Sequence, residues 1–213
     1  MPISKWRKIY EREINKAGGI DKYFQNKINS YDKLIESILK YTPKNGKILE
    51  SGSGTGLISI YLSKLGHEVI AVDSDKAMLS LSASIANKFL RKPQLINENL
   101  FKLSFPEDFF DVTFNNGVFE HFTDNEIVDL TNKLLKISKT LIISVPSNYY
   151  GPKDRMYGDE RFLSKKYWLK LFDKTEGKVV EIVSYLFKNK FDHLKCLLKI
   201  KVPSYLAFVI KKR

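Results

Sequence analysis

Cysteine is nearly absent: Cys196 stands alone among 213 residues. No intrachain disulfide can form, and a reducing, cytoplasmic setting is the expectation. Long hydrophobic runs are missing too. A membrane-spanning helix needs about 20 consecutive apolar residues, and no stretch approaches that. The opening MPISKWRKIYEREINK is too polar and too acidic for the apolar segment of a signal peptide. Internal repeats and low-complexity tracts are also lacking, which excludes solenoids and flexible linkers. Arginine is scarce, with six among the 36 basic residues (Arg7, Arg12, Arg91, Arg155, Arg161 and Arg213). The net charge of +12 raises the question of a nucleic-acid partner. Arginine is the usual residue for bidentate phosphate and guanine contacts, so its scarcity favours a solvated lysine-rich surface. What is present in ordinary amounts, 43% hydrophobic and 28% charged residues, is the composition of a globular chain that buries a sizeable core.

The first forty residues place apolar side chains at helical spacing: Trp6, Ile9, Tyr10 and Ile14, then Tyr31, Leu34, Ile35, Ile38 and Leu39. They predict two helices broken around Ala17-Gly18-Gly19, with Pro43 and Gly46 ending the second. From Lys47 short apolar runs alternate with helical patterns. Strands are predicted at Lys47–Glu50, Glu68–Asp73, Gln94–Asn97, Asp111–Asn115 and Thr140–Val145, and helices at Leu57–Leu65, Lys76–Leu90 and Asn125–Ile137. Thr123 and Glu126 have capping-box spacing before the last of these helices. Strand-helix alternation implies parallel strands joined by right-handed crossovers. After a helix at Ser164–Phe172, strands at Val179–Leu186 and Ser204–Lys211 predict an antiparallel pair at one end of the sheet. The expected fold class is α/β: a Rossmann-like, doubly wound, seven-stranded sheet, mostly parallel, with an antiparallel C-terminal strand and helices on both faces. One domain is expected, divided into a helical cap (1–42), a binding core (43–146) and a lid loop, helix and last strands (147–213).

The most informative stretch is KILESGSGTGLISIYLSKLG, residues 47–66. A strand ends in Glu50, glycines alternate at 52, 54 and 56, and a helix follows at once. Glycine admits positive φ and close approach of backbone to a ligand, and the helix N-terminus offers unpaired N–H groups. A dinucleotide fingerprint, G-x-G-x-x-G, would need its third glycine at position 57, which is Leu57. The pattern is instead E-x-G-x-G-x-G. It resembles the first motif of the class I S-adenosylmethionine-dependent methyltransferases (methyltransferase type 11/12-like domain). VIAVDSDKAML (69–79) continues the likeness by ending a strand in Asp73, 21 residues after Gly52, and so does NENLFKLSFPEDFFDVTFNNGVFEHF (97–122).

The resemblance implies S-adenosylmethionine as cofactor and assigns residues to it. Glu50, Ser51, Gly52, Ser53, Gly54 and Gly56 form the loop at its methionine moiety. Asp73 takes the ribose, Ser74 to Met78 flank the adenine, and Leu100 offers it a backbone N–H. Asn99 stands where relatives usually have aspartate against the adenine amine, and Asn116 near the cofactor's amino group. For catalysis, Glu120-His121 follows the fourth strand; His121 is the candidate general base because its ordinary pKa lies near neutrality. Some relatives bind a divalent metal through E-x-x-E-H here, but the first position is Gly117 and no metal is expected.

The loop PSNYYGPKDRMYGDERFLS (146–164) supplies Tyr149, Tyr150, Arg155 and Tyr157 as candidate walls of an acceptor pocket, with Tyr10 from the first helix. The segment 187–203 is basic with interleaved apolar residues, suited to packing on its own domain or to weak contact with a membrane surface. The expected activity is methyl transfer to an O or N atom of a small-molecule acceptor. Two alternatives stand beside it: an RNA or protein methyltransferase using the basic surface, and a methyltransferase-fold binding protein without catalysis. The N-P-P-[YF] signature of many amino-group nucleic-acid methyltransferases is absent, Asn115-Asn116-Gly117-Val118 standing there instead. Acceptor identity and oligomeric state are not readable from one sequence.

Overall fold

The structure, a computed structural model, describes residues 4–185 and 203–213. Three helices precede the sheet: α1 (Lys5–Lys16), α2 (Ile20–Ser30) and α3 (Asp32–Tyr41). Then β1 (Lys47–Ser51), α4 (Leu57–Lys64), β2 (Glu68–Asp73), α5 (Lys76–Ala86) and β3 (Gln94–Asn97) follow in alternation. β4 (Phe110–Asn116), α6 (Asp124–Ile137), β5 (Ser138–Pro146), α7 (Lys165–Phe172), β6 (Gly177–Tyr185) and β7 (Tyr205–Lys212) complete the order. The seven strands form one sheet in the order β3-β2-β1-β4-β5-β7-β6. β1 to β5 pair in parallel, while β7 runs antiparallel to both β5 and β6, as with Ile142 opposite Val209.

Both faces of the sheet are covered, which is why its strands read as continuous apolar runs. Side chains alternate across the strand. Leu49, Leu141, Ile143, Phe208 and Ile210 enter one core with α6 and α7, and Ile48, Ile142, Ala207 and Val209 enter another with α2, α3 and α4. The capping box on α6 is present: Thr123 Oγ1 accepts from the Glu126 N–H at 3.4 Å and the Glu126 carboxylate accepts from the Thr123 N–H at 2.8 Å.

Two boundaries differ from the sequence expectation. The N-terminal cap has three helices, because the chain breaks again at Tyr31 (φ −100°, ψ 14°). Asp32 restarts the helix by accepting the Lys33 N–H on its own carboxylate, and first-turn acid favours a helix start. α5 stops at Ala86, four residues before the predicted end at Leu90. Phe89 turns back to pack on Phe24, with ring centres 5.3 Å apart, leaving Leu90 fully exposed. The basic segment 187–203, with Cys196, lies outside the described residues except for Pro203. Among the described residues, no helix is long and apolar enough to cross a membrane.

Candidate active site

The carboxyl ends of β1, β2 and β4 open on a cavity of about 330 Å³, where ligands of open α/β sheets bind. The glycine loop forms one wall. Gly52 (φ +76°), Gly54 (+52°) and Gly56 (+65°) all adopt the left-handed region that disfavours side chains. A Cβ on Gly52 would come within 2.6 Å of Val118 Cγ2, and one on Gly56 within 2.4 Å of Ser82 Oγ. The N–H groups of Gly52 and Ser53 both donate to the Val72 carbonyl, at 2.8 and 2.9 Å, which folds the loop over the end of β2.

Two carboxylates brace this loop. Glu50, 4% exposed, accepts the Ser59 N–H at 3.2 Å and the Ser59 hydroxyl, and so serves the first turn of α4, which has no side-chain cap of its own. Burial pushes the Glu50 carboxyl up to about 8. Asp73 Oδ2 accepts the Gly54 N–H at 2.7 Å and Oδ1 the Asp75 N–H at 2.9 Å. Burial raises its pKa, and these backbone donors oppose the rise. Each oxygen still has a lone pair for a ligand hydroxyl. Ser74, Met78, Asn99 and Leu100 line the cavity beyond Asp73. The Asn99 side-chain oxygen caps the short turn Leu100–Lys102, accepting the Phe101 N–H at 2.8 Å.

Opposite the loop, Asn116 accepts on Oδ1 from Ser144 at 2.9 Å and from Tyr185 at 3.0 Å, leaving its NH₂ for the cavity. His121 lines the same space and its Nδ1 is 2.6 Å from Asp159 Oδ1. A carboxylate on one ring nitrogen fixes the tautomer and leaves the other nitrogen for proton transfer. Trp6 covers this pair, edge-on to the His121 ring at 5.5 Å and stacked on Tyr157 at 4.8 Å. Lys5 adds a contact, its ammonium 4.1 Å from the Tyr157 ring centre. The start of α1 and the loop after β5 thereby meet over the cavity.

The expected site residues divide accordingly. Glu50, Gly52, Ser53, Gly54, Asp73, Ser74, Asn99, Leu100 and Asn116 line the cavity, as do His121, Tyr10 and Tyr157. Ser51 and Gly56 lie behind the wall; the Ser51 hydroxyl donates to the Phe114 carbonyl at 3.2 Å. Glu120 is 3% exposed and not on the cavity wall, and its Oε2 has no partner among the described residues. Tyr149, Tyr150 and Arg155 are not on the wall, and the reason is the loop's own buried carboxylate. Glu160 accepts the N–H groups of Met156, Tyr157 and Gly158 at 2.8, 2.6 and 2.8 Å. That turn sends Tyr157 and Asp159 inward and leaves Arg155 exposed, its guanidinium 3.4 Å from the Gly158 carbonyl. Tyr150 packs on Phe162 and Tyr205 instead, and Tyr149 packs on Tyr150. Trp6, Tyr23, Lys27, Tyr31 and Asp159 line the cavity without having been expected there.

A seven-stranded sheet of this order brings a glycine loop and an acidic strand end to face one cavity. A crystal structure of an S-adenosylmethionine-dependent methyltransferase from Clostridium acetobutylicum superposes with a TM-score of 0.67 over 86% of this chain and 90% of that one, at 14% identity. Residues 49–142 match the family model described as a methyltransferase domain. Phosphoethanolamine N-methyltransferase 3 of Arabidopsis thaliana is 26% identical over 142 residues, covering 63% of this chain and 29% of that protein. An uncharacterised methyltransferase of Bacillus subtilis is 27% identical over 124 residues, 57% of this chain and 53% of its own. The matches span about half or less of these relatives' lengths. Residues 49–142 thus carry a methyltransferase domain, and the chain has the fold of S-adenosylmethionine-dependent methyltransferases.

Proposed function

We propose that this methyltransferase acts on an O or N atom of a small-molecule acceptor, with His121 as the base that takes the acceptor's proton. One observation carries the reading: the glycine loop with Asp73 and the His121–Asp159 pair face a single cavity, with Trp6 on its wall against His121. A recessed cavity of this size suits a small molecule better than a polymer chain. The name of the plant relative, with phosphoethanolamine in it, fits such an acceptor.

S-adenosylmethionine, when bound, supplies a methyl group already activated on a sulfonium. The residues present fit it: alternating glycines leave a cradle that any Cβ beside Val118 would fill, and Asp73 keeps acceptor capacity on both oxygens. Glu50, Gly52 and Gly54 would hold the methionine end, Asp73 the ribose, and Asn99 with Leu100 the adenine. The chain's remaining tasks are to orient the acceptor and to remove its proton. Asp159 holds His121 Nδ1, so Nε2 receives that proton, and the carboxylate stabilises the imidazolium that forms.

Calorimetry with S-adenosylmethionine tests the donor site. Asp73→Ala is expected to weaken binding by about 2 kcal/mol, roughly thirtyfold, through loss of charge-assisted hydrogen bonds. Labelled methyl groups then report the acceptor. Label in a metabolite fraction supports the reading, and label confined to RNA or protein overturns it. His121→Gln should lower kcat on the order of a hundredfold while leaving donor affinity intact; unchanged turnover would remove His121 from the chemistry.

A further inference from the structure

The α2 wall of the cavity carries groups that the methyl-transfer reading leaves unused. Tyr23, Lys27 and Tyr31 follow one another at intervals of four, the spacing of one helix face, and line the cavity together with Tyr10. The Lys27 ammonium lies 5.4 Å from the Tyr23 ring centre and 6.0 Å from that of Tyr31. It has no ion-pair partner among the described residues. The carboxylates on the cavity wall, by contrast, are engaged: Glu50 with Ser59, Asp73 with the Gly54 and Asp75 N–H groups, Asp75 as the cap of α5, and Asp159 with His121. Lys27 is the one lysine or arginine on the cavity wall among the described residues.

The neighbouring hydroxyls are unmatched as well. Tyr10, Tyr23 and Tyr31 have no hydrogen-bond partner among the described residues, and Tyr23 is only 3% exposed. Burial pushes the Tyr10 and Tyr23 hydroxyls above tyrosine's ordinary range, so they remain protonated donors. A lone ammonium beside several hydroxyl donors is the complement of an oxyanion.

We propose that Lys27, Tyr10, Tyr23 and Tyr31 form an oxyanion subsite, so that the methyl acceptor carries a phosphate or carboxylate group held there. This rests on the reading of the cavity as the site of methyl transfer. Lys27 is then a specificity-determining residue: it selects anionic acceptors and positions their other end toward His121.

Trp6 provides the readout, since it lines the cavity while the other tryptophan, Trp168, is fully buried elsewhere in the core. Inorganic phosphate and acetate are titrated separately at constant ionic strength, with and without S-adenosylhomocysteine, into wild type, Lys27→Met and Lys27→Arg. The expected result is saturable change in Trp6 fluorescence, with the dissociation constant raised about tenfold or more in Lys27→Met and largely kept in Lys27→Arg. A response to phosphate alone assigns a phosphate-bearing acceptor, and a response to acetate assigns a carboxylate. Equal responses in wild type and Lys27→Met, or none in either, overturn the subsite. Equal methyl labelling of anionic acceptors by wild type and Lys27→Met would do the same. Absence of S-adenosylhomocysteine binding with the phosphate or acetate response intact would sink the methyl-transfer reading alone.

Discussion

Replacing Glu120 by glutamine is expected to stabilise the protein by ~3–5 kcal/mol at pH 9 and to change little near pH 4.5. Glu120 is 3% exposed, and burial pushes its carboxyl up to about 8, the negative charges of Glu160 and Asp159 adding to the rise. The folded protein therefore binds this proton more tightly than the unfolded chain, where the carboxyl titrates near 4.5. Stability from the neutral acid is complete below about pH 4.5 and drains away as the pH rises to about 8. Above that, folding leaves a buried charge near two other carboxylates with one oxygen unpartnered. At 1.36 kcal/mol per pH unit, the interval sets a ceiling near ~5 kcal/mol. Glutamine has the shape of the protonated acid and no charge to lose. Urea unfolding of both proteins at pH 5, 7 and 9 decides the matter. The difference should widen steadily with pH; a constant offset would mean that water or a counter-charge reaches the carboxylate.

Trp168→Ala is expected to cost ~3–5 kcal/mol at every pH, a large part of the stability of an ordinary domain. Trp168 is fully buried on α7, stacked on Phe172 at 5.8 Å and tilted against Phe208 of β7 at 6.5 Å. Its indole N–H has no partner among the described residues, so truncation breaks no hydrogen bond and the loss is packing alone. Trp168→Phe keeps a ring in the stack and should cost roughly half as much. Midpoints of urea unfolding for the two variants test the order. A Phe variant as unstable as the Ala variant would point to the missing indole contacts on the Phe208 side rather than to cavity volume.

The sheet was legible because its signals are local. β2 and β3 have the predicted bounds, and the other parallel strands are longer by one to three residues, since apolar runs covered on two faces leave only their ends ambiguous. The glycine loop and Asp73 were legible for the same reason: positive φ, a strand end and a helix start are properties of adjacent residues. The acceptor wall was not. Lys27 sits in a helix with Lys22 among the polar residues of its exposed face, and nothing in the spacing Tyr23, Lys27, Tyr31 separates a cavity face from a packed one. Only the break at Tyr31, which lets α2 and α3 turn separately, brings these side chains beside the glycine loop. The lid loop failed through one residue. Glu160 reads in sequence as a surface acid, yet by gathering three N–H groups it decides which of the loop's tyrosines turns inward.

The position of β7 has a consequence for the order of assembly. β6 precedes β7 along the chain, yet it joins the sheet solely through β7, which lies between it and β5. A nascent chain that has made β6 has no docked edge to receive it, and β5 ends as an open margin. Both wait for β7, whose Phe208 and Ile210 complete one core while Ala207 and Val209 complete the other. Closing the two layers is thus a late and concerted event, governed by the time to bring distant segments together rather than by the strength of any one helix.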